Sequence, residues 1–331
     1  MRNRNRFAFE PIPEEALSKT IAPEEYLALD EAMFDPSFAG AGDAEAVVRP
    51  STTYWHDVWQ RFRRDPLAIF GLIVILVMGI ACILVPMFSK YTYSGMDLTN
   101  MNASPSWEHL CGTDQMGRDL FIRIMYGARI SITIGIVAAA INFVIGVLYG
   151  GISGYVGGKA DMVMMRIVDI LISLPSMLYI VLIMLVLGSS VVSVIIALCF
   201  TSWIGTARVV RSEVMHLKYS EYVLAARLSG AKLWDILVTH LIPNAMGPII
   251  VSTAFLIPGA IFSEAFLSFL GIGIQAPMAS WGTLANDARS TLLTYPHQMI
   301  FPVMAVCVTM FSFNFIGDGL RDALDPRAAR R

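Results

Sequence analysis

From Pro66 to Phe88 the chain runs without one charged side chain. A helix of that length crosses the ~30 Å hydrocarbon core of a bilayer. Further apolar runs follow at Ile130–Gly150, Met162–Leu187, Ser189–Ala207, Ala245–Ile274 and Met299–Gly317. In lipid every backbone polar group must be satisfied internally, so runs of this kind become helices. The expected fold is therefore an all-α integral membrane protein with about six transmembrane helices. Composition agrees: 56% of residues are hydrophobic and 15% charged, against about 25% charged in soluble domains. A net charge of −2 gives no bulk attraction for nucleic acid. Cys82, Cys199 and Cys307 lie in apolar runs and only Cys111 in a polar one, so the cysteines read as small packing residues rather than a disulfide framework.

The flanks set the expected orientation. Residues 1–53 hold no spanning run; Arg2, Arg4 and Arg6 are followed by no apolar h-region, which speaks against a cleaved leader. This acidic, Pro- and Gly-containing extension is expected to be flexible and cytoplasmic, with one short helix near Pro23–Phe34. In residues 54–65, Trp55, Trp59 and Phe62 recur at helical spacing beside Arg61, Arg63 and Arg64, as in an amphipathic helix lying in the interface with its aromatics toward lipid. That arginine cluster before the 66–88 span places the N-terminus inside. Residues 89–129 then form an external lobe, although Arg118, Arg123 and Arg129 run against a simple positive-inside count. A core of residues 130–320 carries the other five spans, and the basic 321–331 tail returns inside.

Local features add detail. Gly146, Gly150, Gly154 and Gly158 recur every fourth residue, a flat strip for close helix packing, with Gly154–Lys159 expected to turn. GYVGGKA imitates a phosphate loop but has Ser153 and Ala160 where Gly and Ser/Thr are required, so the chain offers no nucleotide site. Arg166 and Asp169 are spaced to pair on one helix, and Pro175 is expected to kink it. Glu264 interrupts the fifth span; counted from Ala245 it falls roughly 28 Å along, near the outer surface, where it needs no special partner. Its candidate roles are an outer gate or a structural one. His109, Cys111, Asp114 and Asp119 fit no standard zinc spacing; capping and ion pairing within the lobe are expected of Asp114, Arg118 and Asp119. Trp281 and Tyr295 suit an interfacial position.

The longest polar interruption in the second half, Glu221–Asn244 within a loop at 212–244, reads as a short helix (Tyr222–Arg227), a turn at Gly230, a second helix (Lys232–Leu241) and Pro243 opening the next span. Arg208 and Arg211 at the foot of the fourth span place this elbow inside.

This stretch resembles the EAA loop of ATP-binding-cassette importer permeases: Ala225, Ala226, Gly230 and Pro243 fall at matching spacing, while Leu224, His240 and Ile242 depart from the general pattern. The departures, with Glu221, Tyr222, Ala231 and Asn244, match the peptide (oligopeptide/dipeptide) branch. So do His109, Gly112–Asp114, Gly117–Asp119, Gly127–Ser131, the Asp161, Met165, Arg166, Asp169 and Pro175 series, the EAFLSFLG run at Glu264, APMASWG, and GDGLRDALDPR. The resemblance covers about residues 54–327. It implies a type I importer permease subunit in a bacterial inner membrane, both termini cytoplasmic. It further implies a second homologous permease, two ATPase subunits that hold ATP and Mg while this chain binds no cofactor, an extracytoplasmic solute-binding protein and a peptide substrate. Glu221, Tyr222, Leu224, Ala225, Ala226, Gly230, Ala231, His240 and Pro243 become the expected coupling residues, Tyr222 and Leu224 as apolar anchors and the small residues for close seating. Nickel chelates and glutathione-like solutes share this branch. An ion-gradient transporter is the rival from another class, but it calls for midplane acids or repeated broken helices. No nucleophile–base constellation suggests an enzyme.

Overall fold

A computed structural model describes residues 54–275 and 277–325. The 1–53 extension, the helix expected near Pro23–Phe34 and residues 326–331 lie outside the described residues. The described chain is helical, without strands; one isolated bridge joins Thr113 and Asp119. In order the helices are α1 (Tyr54–Phe62), α2 (Pro66–Phe88), α3 (Leu120–Val156), α4 (Gly158–Ser173), α5 (Ser176–Leu187), α6 (Val191–Leu217), α7 (Glu221–Leu228), α8 (Leu233–Asp235), α9 (Ile242–Ala254), α10 (Leu256–Phe269), α11 (Trp281–Asp287) and α12 (His297–Leu324). Among the described residues five helical stretches are long and apolar enough to cross a membrane: α2, α3, α6, Leu233–Phe269 and α12. The α4–α5 pair is apolar enough to bring the number to six if it is counted as one span, and it is broken at Leu174–Pro175 with a bend of 83°. Pro175 lacks the amide hydrogen that would continue the helix, and the residue before a proline is driven out of the helical region.

Several spans are longer than hydropathy suggests. The second begins at Leu120 rather than Ile130, because Asp119 caps it by accepting from the Ile122 N–H at 2.9 Å. The expected lobe thus ends at residue 119. The arginines that masked this start all have partners. Arg129 donates to the Cys82 and Ile83 carbonyls at 2.7 and 3.1 Å. Pro86 has no N–H for the Cys82 carbonyl, so the guanidinium fills a vacancy that the proline creates. Arg118 and Arg123 pair with Asp114 and Asp287. At its far end α3 runs to Val156, so Gly154 is helical and the turn is made at Gly157 and Gly158, both with positive φ. Likewise α12 continues to Leu324, into the expected tail.

The glycine strip lies against α6. A Cβ on Gly146 would come within 2.7 Å of Thr206 Cβ, one on Gly154 within 2.8 Å of the Arg211 carbonyl, and one on Gly150 would strike the Ala207 carbonyl. Backbones therefore touch along this seam. Gly158 is not part of it; open space surrounds its Cβ position among the described residues. The α2–α12 pair uses the same device: Ala68 is fully buried against Gly319, and Gly71 faces the Ser312 carbonyl. The opposite side of α2 (Phe70, Leu76, Val77, Ile80, Met87) is exposed, as lipid-facing side chains are. In α1, Trp55 and Trp59 are exposed, but Phe62 is buried with Val58 against Ala323 and Leu324, correcting the expectation that all three aromatics meet lipid. Arg166 is exposed and does not pair with Asp169; Asp169 instead meets Arg208 of α6 at 2.9 Å. Arg211 grips Asp161 through two nitrogens, at 2.5 and 2.6 Å, tying α4 to α6.

Candidate coupling site and its neighbours

The elbow is built on one buried side chain. Val223 of α7 is fully buried in a cluster with Val147 of α3, Val210 and Val214 of α6, and Ile236, Leu237 and Leu241 beyond the turn. With Val223 inward, helical spacing turns Glu221, Leu224, Ala225 and Leu228 outward together. All four are exposed, and Leu228 most of all at 89%. Tyr222 and Trp234 are exposed at 41% and 52%. Exposed Tyr222, Leu224 and Leu228 on a helix whose other face is anchored, with the exposed Trp234 just past the turn, make the pattern of a partner surface. Glu221 lies in the first turn of α7, where a carboxylate favours the helix dipole.

The turn after α7 is specified by backbone geometry. Gly230 has φ +81°, and its N–H donates to the Arg227 carbonyl at 3.0 Å while the Ala231 N–H reaches back to Ala226 at 3.1 Å. This is a glycine-capped helix end closed by paired bonds. Ala226 and Ala231 are half-buried against the elbow cluster, whereas Ala225 faces out, so the two alanines have different surroundings. Arg227 lies over the Tyr155 ring at 4.8 Å, joining the elbow to the end of α3.

Beyond the turn the expected helix Lys232–Leu241 is only a turn of α8 followed by a π-turn at Ile236–Leu241. Pro243 explains it. Its ring would strike the carbonyl four residues back and it has no N–H to donate, so the ladder widens to five-residue spacing, with the Ile242 N–H on the Leu237 carbonyl. Asn244 then donates its side-chain amide to the His240 carbonyl at 2.6 Å. His240 and Pro243 thus shape the helix entering the fifth span, and His240 is half-buried rather than presented outward. A helical rod continues from Leu233 to Phe269.

That rod carries Glu264. The expectation that Glu264 needs no special partner is corrected: it is fully buried, accepting from Ser131 of α3 at 2.8 Å and Ser268 at 2.9 Å. The Trp281 N–H also approaches the Ser131 hydroxyl, at 3.5 Å. Trp281 itself is fully buried, its indole N–H on the Ile124 carbonyl at 3.1 Å, so it is a core residue and not an interfacial one.

The residue 89–119 lobe is closed by the polar residues singled out from the sequence. Asp119, besides capping α3, accepts from or pairs with His109 Nδ1 at 2.8 Å. Asp114 receives the Met116 and Arg118 backbone N–H groups, Arg118 Nε at 2.6 Å, and Arg123. Gly117 is required: its φ is +70° and any Cβ would collide with the Asp97 carbonyl. Burial, and then the Asp119 charge, pushes the Cys111 thiol up to about 11. Among the described residues no three His, Cys, Asp or Glu side chains gather as a metal-binding group.

Residues 144–330, which contain the elbow, the glycine seam and Glu264, match the family model described as binding-protein-dependent transport system inner membrane component. The chain belongs to this family. Residues 53–105 also match the N-terminal TM domain of oligopeptide transport permease C. It is 50% identical over 295 residues to the oligopeptide transport system permease protein OppC of Bacillus subtilis, covering 89% of this chain and 97% of that one. It is 46% identical to the dipeptide transport system permease protein DppC of the same organism (87% and 90% covered). With the Escherichia coli K12 oligopeptide permease protein OppC the identity is 42% (82% and 91%). Sequence reasoning missed Leu228, Trp234 and the Val223 anchor. Leu228 was readable as the next outward position after Leu224, whereas the Arg227–Tyr155 contact has no signal in sequence.

Proposed function

We propose that this inner-membrane component is a permease subunit of an ATP-driven peptide importer. It forms half of a translocation path with a second homologous permease. Of the two ATPase subunits in the complex, one docks on this elbow, and an extracytoplasmic binding protein delivers the peptide to the lobe side. The observation that carries this reading is the elbow itself: Tyr222, Leu224, Leu228 and Trp234 exposed over a fully buried Val223. Family membership supports an ATPase as the partner of that surface, and the names of the relatives support peptides as the substrate class. In this reading the termini and the elbow are cytoplasmic. The chain contributes no catalysis; closure of the ATPases around ATP and Mg pushes α7, and the push enters the spans that α7 joins, α6 and Leu233–Phe269.

The test is to purify the assembled complex with its binding protein and identify the co-bound ligand by mass spectrometry. ATP-dependent uptake of that ligand is then measured in proteoliposomes. The expected ligand is a peptide, and uptake is expected to need ATP. If this chain alone, in sealed vesicles, concentrates solute without nucleotide, the proposal is overturned.

A further inference from the structure

A pocket of about 140 Å³ opens on the lobe side, walled by Asp114, Gln115, Arg118, Arg123, Asp287 and Gln298 among others. Its two arginines are nearly inaccessible, Arg123 at 2% exposure. The two carboxylates in it are unequal. Asp114 is buried and saturated by two backbone N–H groups and both guanidiniums. Asp287 is exposed over 41% of its side chain and holds the arginines through a single oxygen, at 3.3 and 3.5 Å. Among the described residues Arg123 Nε has no acceptor at all. The site thus holds two permanent cations, one permanent counter-charge and one loosely held one. A shorter, two-oxygen carboxylate contact to arginine is stronger than the contact Asp287 makes.

We propose that the Arg118–Arg123 pocket is a socket for one acidic side chain of the extracytoplasmic binding protein, which displaces Asp287 on docking. This rests on the importer reading above. The volume selects the occupant: small-molecule sites run to ~300–1,000 Å³, so this one takes a side chain and not a whole peptide. Displacement has a consequence inside the membrane. Asp287 ends α11, and α11 begins with Trp281, whose N–H approaches the same Ser131 hydroxyl that bonds Glu264. Releasing Asp287 frees one end of the short helix that touches the Glu264 site at the other.

The test uses the complete complex in nanodiscs and its binding protein. Asp287→Asn removes the internal competitor, so binding is expected to tighten by about threefold or more, while Arg118→Gln weakens it by about tenfold or more. Acetate is expected to weaken wild-type binding more than chloride at equal ionic strength. A purely structural ion cluster predicts the opposite sign for Asp287→Asn. Weaker binding in that variant overturns the proposal, even if Arg118→Gln fails to fold. So does unchanged binding in Arg118→Gln that melts like wild type. Loss of docking with C-terminally amidated peptide as cargo would assign the pocket to the substrate carboxylate and likewise overturn it. Wild-type docking and ATP-dependent uptake are the internal control: their failure removes the importer reading, whereas their success with the wrong variant pattern removes only the socket.

Discussion

Replacing Gly230 separates the shape of the elbow from its contact surface. Its φ of +81° is the left-handed region, where an ordinary L-residue costs about 1–2 kcal/mol. No described atom lies within 4 Å of a Cβ built there, so no steric term is added. Against a total stability of about 5–15 kcal/mol, such variants stay folded. Asn and Asp both tolerate this conformation better than other residues, so they carry similar backbone strain and differ chiefly in charge. A carboxylate pressed into an apolar contact costs several kcal/mol, and every ~1.4 kcal/mol is tenfold in ATPase affinity. Gly230→Asp is therefore expected to lose about 100-fold or more in docking affinity and to abolish uptake, whereas Gly230→Asn keeps measurable uptake. The assay is peptide uptake and stimulated ATP hydrolysis in proteoliposomes, with thermal unfolding of each variant as control. Normal uptake and normal stimulated hydrolysis in Gly230→Asp would refute the coupling role. Equal loss in the Asn variant would show that the turn, not the docking surface, is what matters.

Other expectations follow from the packing. Gly150→Ala places a Cβ against the Ala207 backbone and should lower the melting temperature markedly, while Gly205→Ala, with open space around its Cβ, should not. Glu264→Ala leaves the Ser131 and Ser268 hydroxyls without their acceptor and should destabilise by about 1–3 kcal/mol, with Glu264→Gln closer to wild type; equal melting of the two would remove the buried hydrogen-bonding role. Cys111, with its thiol pushed up to about 11, should react with iodoacetamide at pH 8 roughly 200-fold more slowly than an ordinary thiol, the rate rising about tenfold per pH unit. Fast labelling of Cys111 at neutral pH would contradict its buried placement.

The spans were legible because unbroken apolar runs have few alternatives in lipid. Their ends were not. Arg123 and Arg129 lowered the hydropathy of the first turns of α3, yet Arg129 is held by two carbonyls of α2, and Arg123 pairs with Asp114 of the lobe and Asp287 of α11, its Nε alone lacking an acceptor among the described residues. The same applies to Glu264, whose carboxylate accepts from Ser131, 133 residues earlier. A count along the helix has no access to that neighbour. Trp281 was misread for a related reason: an aromatic in a loop is interfacial on average, but here the loop folds inward over Leu120, Ile124 and Leu284. Pro243 was recognised as a helix opener, but its effect on the preceding turn depends on the helix already running through it. The elbow was located by its likeness to a family loop, which names residues without orienting them; the burial of Val223 separates the outward Ala225 from the inward Ala226.

Two helices whose main chains abut along Gly146, Gly150 and Gly154 have no side-chain slack between them. They cannot slide or tilt apart by rotamer adjustment, so α3 and α6 behave as a single plank during the transport cycle. Whatever alternates must pivot elsewhere, and the broken joint at Leu174–Pro175 is the place where the chain already bends by 83°. Cross-linking the plank internally should leave the cycle running; bracing that joint should stop it.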